Sequence, residues 1–153
     1  MECRAAVSLR RLISLSLLAV WGCLVSAGSA DTVVLIVNAT TNYAALDSVE
    51  VRKLFLGLTV VRDGHTLHAL RNVSDPRLDE IFLQNIVSMS DTTYERRVLT
   101  LTMQQGRTPP PSVQDKARLF AELAADPDAV SFAWAGDVAG NRNIKVMRVL
   151  WHE

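Results

Sequence analysis

Residues 31–38 (DTVVLIVN) constrain this chain more than any other stretch, because Val33, Val34, Leu35, Ile36 and Val37 form an unbroken apolar, mostly β-branched run. A strand with one wet face alternates apolar and polar side chains. An unbroken run needs apolar cover on both faces, which helices packed on the two sides of a sheet provide. The expected class is therefore α/β. The 153-residue length fits one domain. With 49% apolar and 21% charged residues, the chain is neither collagen-like nor disordered. Sixteen basic residues balance sixteen acidic ones, so no positive field draws nucleic acid.

Residues 1–30 read as an export signal. Arg4, Arg10 and Arg11 form a positive head, residues 12–25 (LISLSLLAVWGCLV) an apolar core, and residues 26–30 (SAGSA) a small-residue cleavage region. The core is too short for a membrane span of about 20 residues. Trp21 spoils a lipobox before Cys23, and the Arg10-Arg11 pair is a weak twin-arginine signal. Removing Glu2, Arg4, Arg10 and Arg11 leaves 13 basic and 15 acidic residues, a net charge of −2. Cys3 and Cys23 leave as well, so residues 31–153 contain no thiol for a disulfide, a nucleophile or a metal. The expected product is an exported domain held by its core alone.

Within that domain, Asp47 or Ser48 caps a first helix, Glu50 lies in its first turn, and Gly57 ends it. Val51, Leu54, Phe55 and Leu58 mark its buried face. Asp63-Gly64 turns a hairpin within residues 60–70. Pro76 opens a second helix through about Val87, with a stripe of Leu78, Ile81, Phe82, Asn85 and Ile86. Ser90 or Asp91 caps a third, Glu95 is placed to reciprocate, Tyr94, Val98 and Leu101 share a face, and Gly106 stops it. Three prolines make residues 107–111 non-helical. Ser112 and Asp115 open a fourth helix striped by Val113, Ala117, Phe120, Ala121 and Ala124. Residues 130–135 and 143–150 read as strands around a turn at 136–142. The order predicts a mixed β-sheet flanked by about four helices.

Catalytic chemistry finds little footing. His65 and His68 resemble a metal-binding HxxH, but three residues apart on a strand they point to opposite faces. His152 has no visible partner. No GxSxG or Cys/His arrangement occurs, and Asp47, Asp75, Asp91 and Asp115 fit helix starts. No cofactor, catalytic residue or metal site is expected, and an enzyme is not. Two triplets, Asn38-Ala39-Thr40 and Asn72-Val73-Ser74, have the form of glycosylation sequons, a meaning they hold only in a eukaryotic secretory pathway.

Several motifs in order add a family resemblance. They are the strand 33–38 ending in Asn38, then Leu46, then Leu54-Phe55-Leu56-Gly57, the Asp63-Gly64 turn, the Gly106 to Pro111 segment, and DPDAVSFAW at 126–134. Together they resemble phosphate ABC transporter substrate-binding proteins of the type 2 periplasmic binding protein group. The resemblance implies a single lobe similar to the second lobe of that fold, a periplasmic location, phosphate or another small anion as ligand, and an ABC permease or another envelope protein as partner. The family's first-lobe anion loop has no counterpart here, so a second copy or another protein would have to supply an opposing wall.

The family's second-lobe anion loop is Arg followed by Gly-Ser-Gly-Thr at a helix start. Here the corresponding stretch is Arg71-Asn72-Val73-Ser74-Asp75-Pro76-Arg77. Arg71 and Ser74 carry over as ligand-binding residues, with Arg77, Thr40 and Thr41 as further ligand-binding candidates and Phe82 matching the family's helix phenylalanine. Asp75 puts a carboxylate where the anion would sit, Pro76 removes an amide, and both glycines are missing. Two functions follow as expectations: a solute-binding-like anion receptor for transport or sensing, or an envelope interaction module that has lost tight anion binding.

Overall fold

The computed structural model describes residues 32–153; the export-signal expectation falls on residues 1–30, outside them. The chain order is β1 (Thr32–Asn38), α1 (Ser48–Phe55), β2 (Val60–Arg62), β3 (His65–Ala69), β4 (Arg71–Asn72), α2 (Pro76–Ile81), a π-helical segment (Phe82–Val87), α3 (Asp91–Gln104), β5 (Ser112–Val113), α4 (Lys116–Ala125), β6 (Ala129–Trp134), α5 (Ala135–Val138) and β7 (Ile144–His152). The main sheet has the strand order β2-β3-β6-β1-β7, and β4-β5 form a second, two-stranded ribbon. β1 runs antiparallel to both β6 and β7, whereas β3 and β6 are parallel. This is a mixed α/β architecture resembling one lobe of a periplasmic binding protein.

The apolar run lies inside the sheet, as its pattern requires. Val33, Leu35 and Val37 face one core with α1, α2 and α3, while Val34 and Ile36 face another with α4 and α5. All five are at most 2% exposed. The larger core is organised by aromatic rings. Phe82 stacks on Phe132 at 4.4 Å, and Phe55 meets both edge-on at 5.1 and 5.4 Å. Tyr94 meets Phe82 edge-on at 5.6 Å. Such pairs add about 1 kcal/mol each beyond area burial.

Local chemistry sets most boundaries. Asp47 caps α1: its carboxylate accepts the Glu50 N–H at 2.8 Å, and Glu50 accepts the Asp47 N–H at 2.9 Å. Asp63 and Gly64 both adopt positive φ in the β2–β3 turn. Gly57 ends α1 with φ +79, and a Cβ there would lie 2.5 Å from Thr102 Cγ2.

Four elements depart from the sequence expectation. The second helix widens after Ile81 into the π-helical segment, which shifts the buried positions to Phe82, Leu83 and Val87 and turns Asn85 outward. A period of 3.6 cannot anticipate an i→i+5 turn. Ser112 and Val113 belong to β5 beside β4, so α4 begins at Lys116 under an Asp115 cap. Its buried stripe is Leu119 and Leu123, with Ala117 and Ala121 exposed. Ser90 caps α3 through Thr93, in place of the expected reciprocal bond with Glu95. The turn at 136–142 includes the start of β7's connection and most of the short α5.

Candidate functional site

The start of α2 carries a dense set of polar contacts. Asp75 is its cap: one carboxylate oxygen accepts the N–H groups of Arg77 at 2.8 Å and Leu78 at 3.1 Å. The other oxygen accepts Trp134 Nε1–H at 3.2 Å. Burial by itself would raise the Asp75 pKa. The hydrogen bonds from Leu78, Trp134 and Arg77 and the charge of Lys116 outweigh it and hold the carboxyl below its ordinary value. The free amides at this helix start are thus turned toward a carboxylate the chain carries itself, and Pro76 contributes no further N–H.

Arg71 lies behind this seat and is committed to acidic partners. Its Nε and Nη2 donate to the two oxygens of Asp79 at 3.0 and 2.8 Å, and Nη2 also donates to Asp91 at 2.9 Å. The side chain is 7% exposed and lies over the Tyr94 ring at 4.7 Å. Desolvation alone would lower the Arg71 pKa, but hydrogen bonds to Asp79 and Asp91 raise it above its ordinary value. Burial pushes the Tyr94 hydroxyl up to about 12, with Arg71 opposing the shift; that hydroxyl donates to Phe55 O at 2.7 Å. Arg71 therefore fastens α2 and α3 to β4, forked onto Asp79 in the bidentate geometry that suits a guanidinium.

Ser74 and Thr40 are held in the same kind of turn. Asn72 Oδ1 accepts the Ser74 N–H at 3.1 Å and its hydroxyl at 2.7 Å, while Asn72 Nδ2 donates to Phe132 O at 2.9 Å. Asn38 Oδ1 accepts the Thr40 N–H at 2.8 Å and its hydroxyl at 2.7 Å, while Nδ2 donates to Leu123 O and Ala124 O at the end of α4. Both asparagines are buried, at 1% and 6% exposure, so neither amide is presented for glycosylation. This pair of Asn-x-Ser/Thr turns is a structural device the sequence displayed as sequons.

The expected ligand residues do not form one site. Ser74 and Arg77 flank Asp75 near Trp134, which pairs with Val33. Thr41 donates its hydroxyl to Pro127 O at 3.0 Å beyond the other end of β1, where Val37 pairs with Val130. Four strand residues, about 13 Å, separate those two register pairs. Arg77 is exposed, bonded to Glu153 at 2.9 Å with its guanidinium 5.8 Å from the Trp134 ring centre.

The histidines have acidic neighbours. His65 Nδ1 lies 2.7 Å from Asp128 and His68 Nε2 lies 3.2 Å from Asp126. His152 pairs with Thr32 at the end of β7. Among the described residues no group of three or more His, Cys, Asp or Glu side chains is placed to hold a metal ion, and no helix is long and apolar enough to cross a membrane. Sequence reasoning singled out Arg71 and Asp75, read Asp91 only as a helix start and Trp134 only as part of a strand, and gave Asp79 no role, yet these three residues decide what the first two do. Asp79 stands eight residues along the chain from Arg71, in the first turn of α2, with no motif to connect them.

No protein-family model matches the chain, and no curated protein sequence does. Its fold is similar to that of an ABC-type phosphate transport receptor from Vibrio cholerae, with a TM-score of 0.55 and 12% identity. The likeness covers 77% of this chain and 46% of the receptor, so the chain spans less than half the receptor's length. What the two share is a solute-binding-protein-like fold.

Proposed function

We propose that this chain is an envelope protein-interaction module built on a solute-binding-like lobe, exported to the periplasm by residues 1–30 and no longer a tight phosphate receptor. The observation that carries the reading is Asp75, which accepts two α2 amides and the Trp134 indole N–H. A phosphate entering this seat would have to displace a carboxylate that already satisfies the same donors, and would meet its charge. Like charges about 4 Å apart repel by roughly 1 kcal/mol in water and several times more where partly desolvated. Arg71 offers no offset while Asp79 and Asp91 engage it.

The competing reading, a small-anion receptor serving an ABC permease, draws on the fold shared with the phosphate transport receptor. It would use Arg71, Ser74 and Arg77 at one end of β1 and Thr40 and Thr41 at the other, with an opposing wall from a second copy or a partner. The two readings separate in one experiment. Replacing Asp75 with serine removes the competing charge and leaves a single neutral hydroxyl where the carboxylate accepted both the Arg77 and Leu78 amides. The module reading predicts no phosphate response in the wild type and a weak, salt-sensitive one in Asp75→Ser. A saturable response in the wild type supports the receptor reading. Crosslinking in the envelope should capture a protein partner in the first case.

A further inference from the structure

β7, with nine residues, lies at one edge of the main sheet. Among the described residues β1 is its one strand neighbour, so the sheet ends at its other side. The opposite edge is β2, of only three residues. An open edge templates another strand, and proline, lysine, bulges or brevity usually blunt it. β7 is long and has no proline, and its bulges and charges match one another about a single point.

The bulges set its faces. Val146 pairs with Ile36 and Arg148 with Leu35, which leaves Met147 as an extra residue. Val149 pairs with Val34 and Trp151 with Val33, which leaves Leu150 as another. Residues opposite one another in a ladder share a face. Val34 and Ile36 face the core with α4 and α5, so Val146 and Val149 lie on that side, 46% and 49% exposed. Leu35 and Val37 face the other core, so Arg148 and Lys145 lie on the other side, where they donate to Leu46 O and Thr41 O. His152, opposite Thr32, returns to the valine side, and Glu153 follows on the lysine side.

An antiparallel pair of identical strands has some residue opposite its own copy. Centring β7 on Val146, Met147, Leu150 or Trp151 sets residues of one face against the other face. Registers centred nearer the ends pair only a few residues. Centring on Arg148 sets two guanidinium groups against each other. Val149 remains. About it, Val146 falls opposite the partner's His152 on one face, and Lys145 opposite the partner's Glu153 on the other. The extra residues Met147 and Leu150 fall opposite the partner's Trp151 and the partner's Arg148. Lys145 has further donors beyond the one to Thr41 O, and Glu153, bonded to Arg77, has a second oxygen.

We propose that β7 is a homodimer interface, in which two copies pair β7 with β7 antiparallel across a two-fold axis at Val149 and join their five-stranded sheets edge to edge. The self-complementary register selects a second copy over a different protein. The interface does not depend on either reading of the α2 start.

The test uses the full chain carrying Cys3→Ser and Cys23→Ser, so that no native thiol crosslinks. Sedimentation should find a dimer at about 0.1 mM. Val149→Lys, at an exposed position, sets two ammonium groups against each other on the axis and should leave a monomer that circular dichroism shows to be folded. Lys145→Glu should weaken association about tenfold, and adding Glu153→Lys should restore it. Oxidation should link copies of Val149→Cys, about 5 Å apart, and not copies of Arg148→Cys, about 8 Å apart. A monomeric parent chain, a folded Val149→Lys that still dimerises, a charge swap that fails to restore association, or linkage through Arg148→Cys in place of Val149→Cys overturns the proposal.

Discussion

Asn38 and Asn72 each close a strand with one side chain, accepting twice from the residue two ahead and donating across to another element. Asn72 is the more buried, and its amide holds β4 to β6 through Phe132 O. Asn72→Ala leaves that carbonyl and the Ser74 donors without their partner, so urea denaturation should show a loss of about 2–3 kcal/mol. Asn72→Asp should fare little better, because a carboxylate has no N–H for Phe132 O. The acid-side behaviour belongs to Asp75. Its folded pKa is depressed, so its stabilising effect is complete above the ordinary carboxylate range near pH 4 and fades as pH falls through the folded value. Asp75→Asn should therefore flatten the loss of stability below about pH 4, seen by melting the two proteins across pH 2–6. At this scale the sequence was legible in part. A cap at Asp75 followed from Asp-Pro before an apolar stripe, but its bond to Trp134 needs the β6 end brought alongside, and the burial of both asparagines is a tertiary fact. The Asn-x-Ser/Thr spacing was in plain view with a chemical meaning that burial replaces.

Elements follow the same division. β1, α1, the Asp63-Gly64 hairpin and the proline strap were readable because their signals are local: an unbroken apolar run, a capping box, a positive-φ turn, missing amides. The π-helical segment was not, since Phe82 and Val87 share a buried face only once the turn has widened. β5 was absorbed into the fourth helix because Ser112–Val113 is too short to carry a period of its own, and its strand character comes from pairing with Arg71–Asn72. Gly57 joins both kinds of information. As a stop for α1 it was visible in the sequence; its φ of +79 and the 2.5 Å approach of Thr102 Cγ2 to a hypothetical Cβ show that it also lets α3 and the strap close against α1. Gly57→Ala should cost more than about 1 kcal/mol, from left-handed backbone strain plus displacement of Thr102, and lower the midpoint of a thermal melt. Gly64→Ala, with open space around its Cβ, should show the backbone part alone.

At the scale of the molecule, the buried β1 run predicted a sheet covered on both faces, and two separate cores lie on its two sides. The same strand keeps the expected ligand residues apart, with Thr40 and Thr41 beyond one end and Ser74 and Arg77 near the other. On the function proposed above, Asp75 stands where an anion would sit at the start of α2, so phosphate is not held tightly. Thermal unfolding of the wild-type protein with and without phosphate tests it most directly. A site with Kd near 0.1 mM, at about 10 mM phosphate, would add roughly 2.7 kcal/mol, a rise of about 10 °C for a domain of this size. The expected shift is no larger than chloride gives at equal ionic strength. A saturable rise of that size specific to phosphate would contradict it.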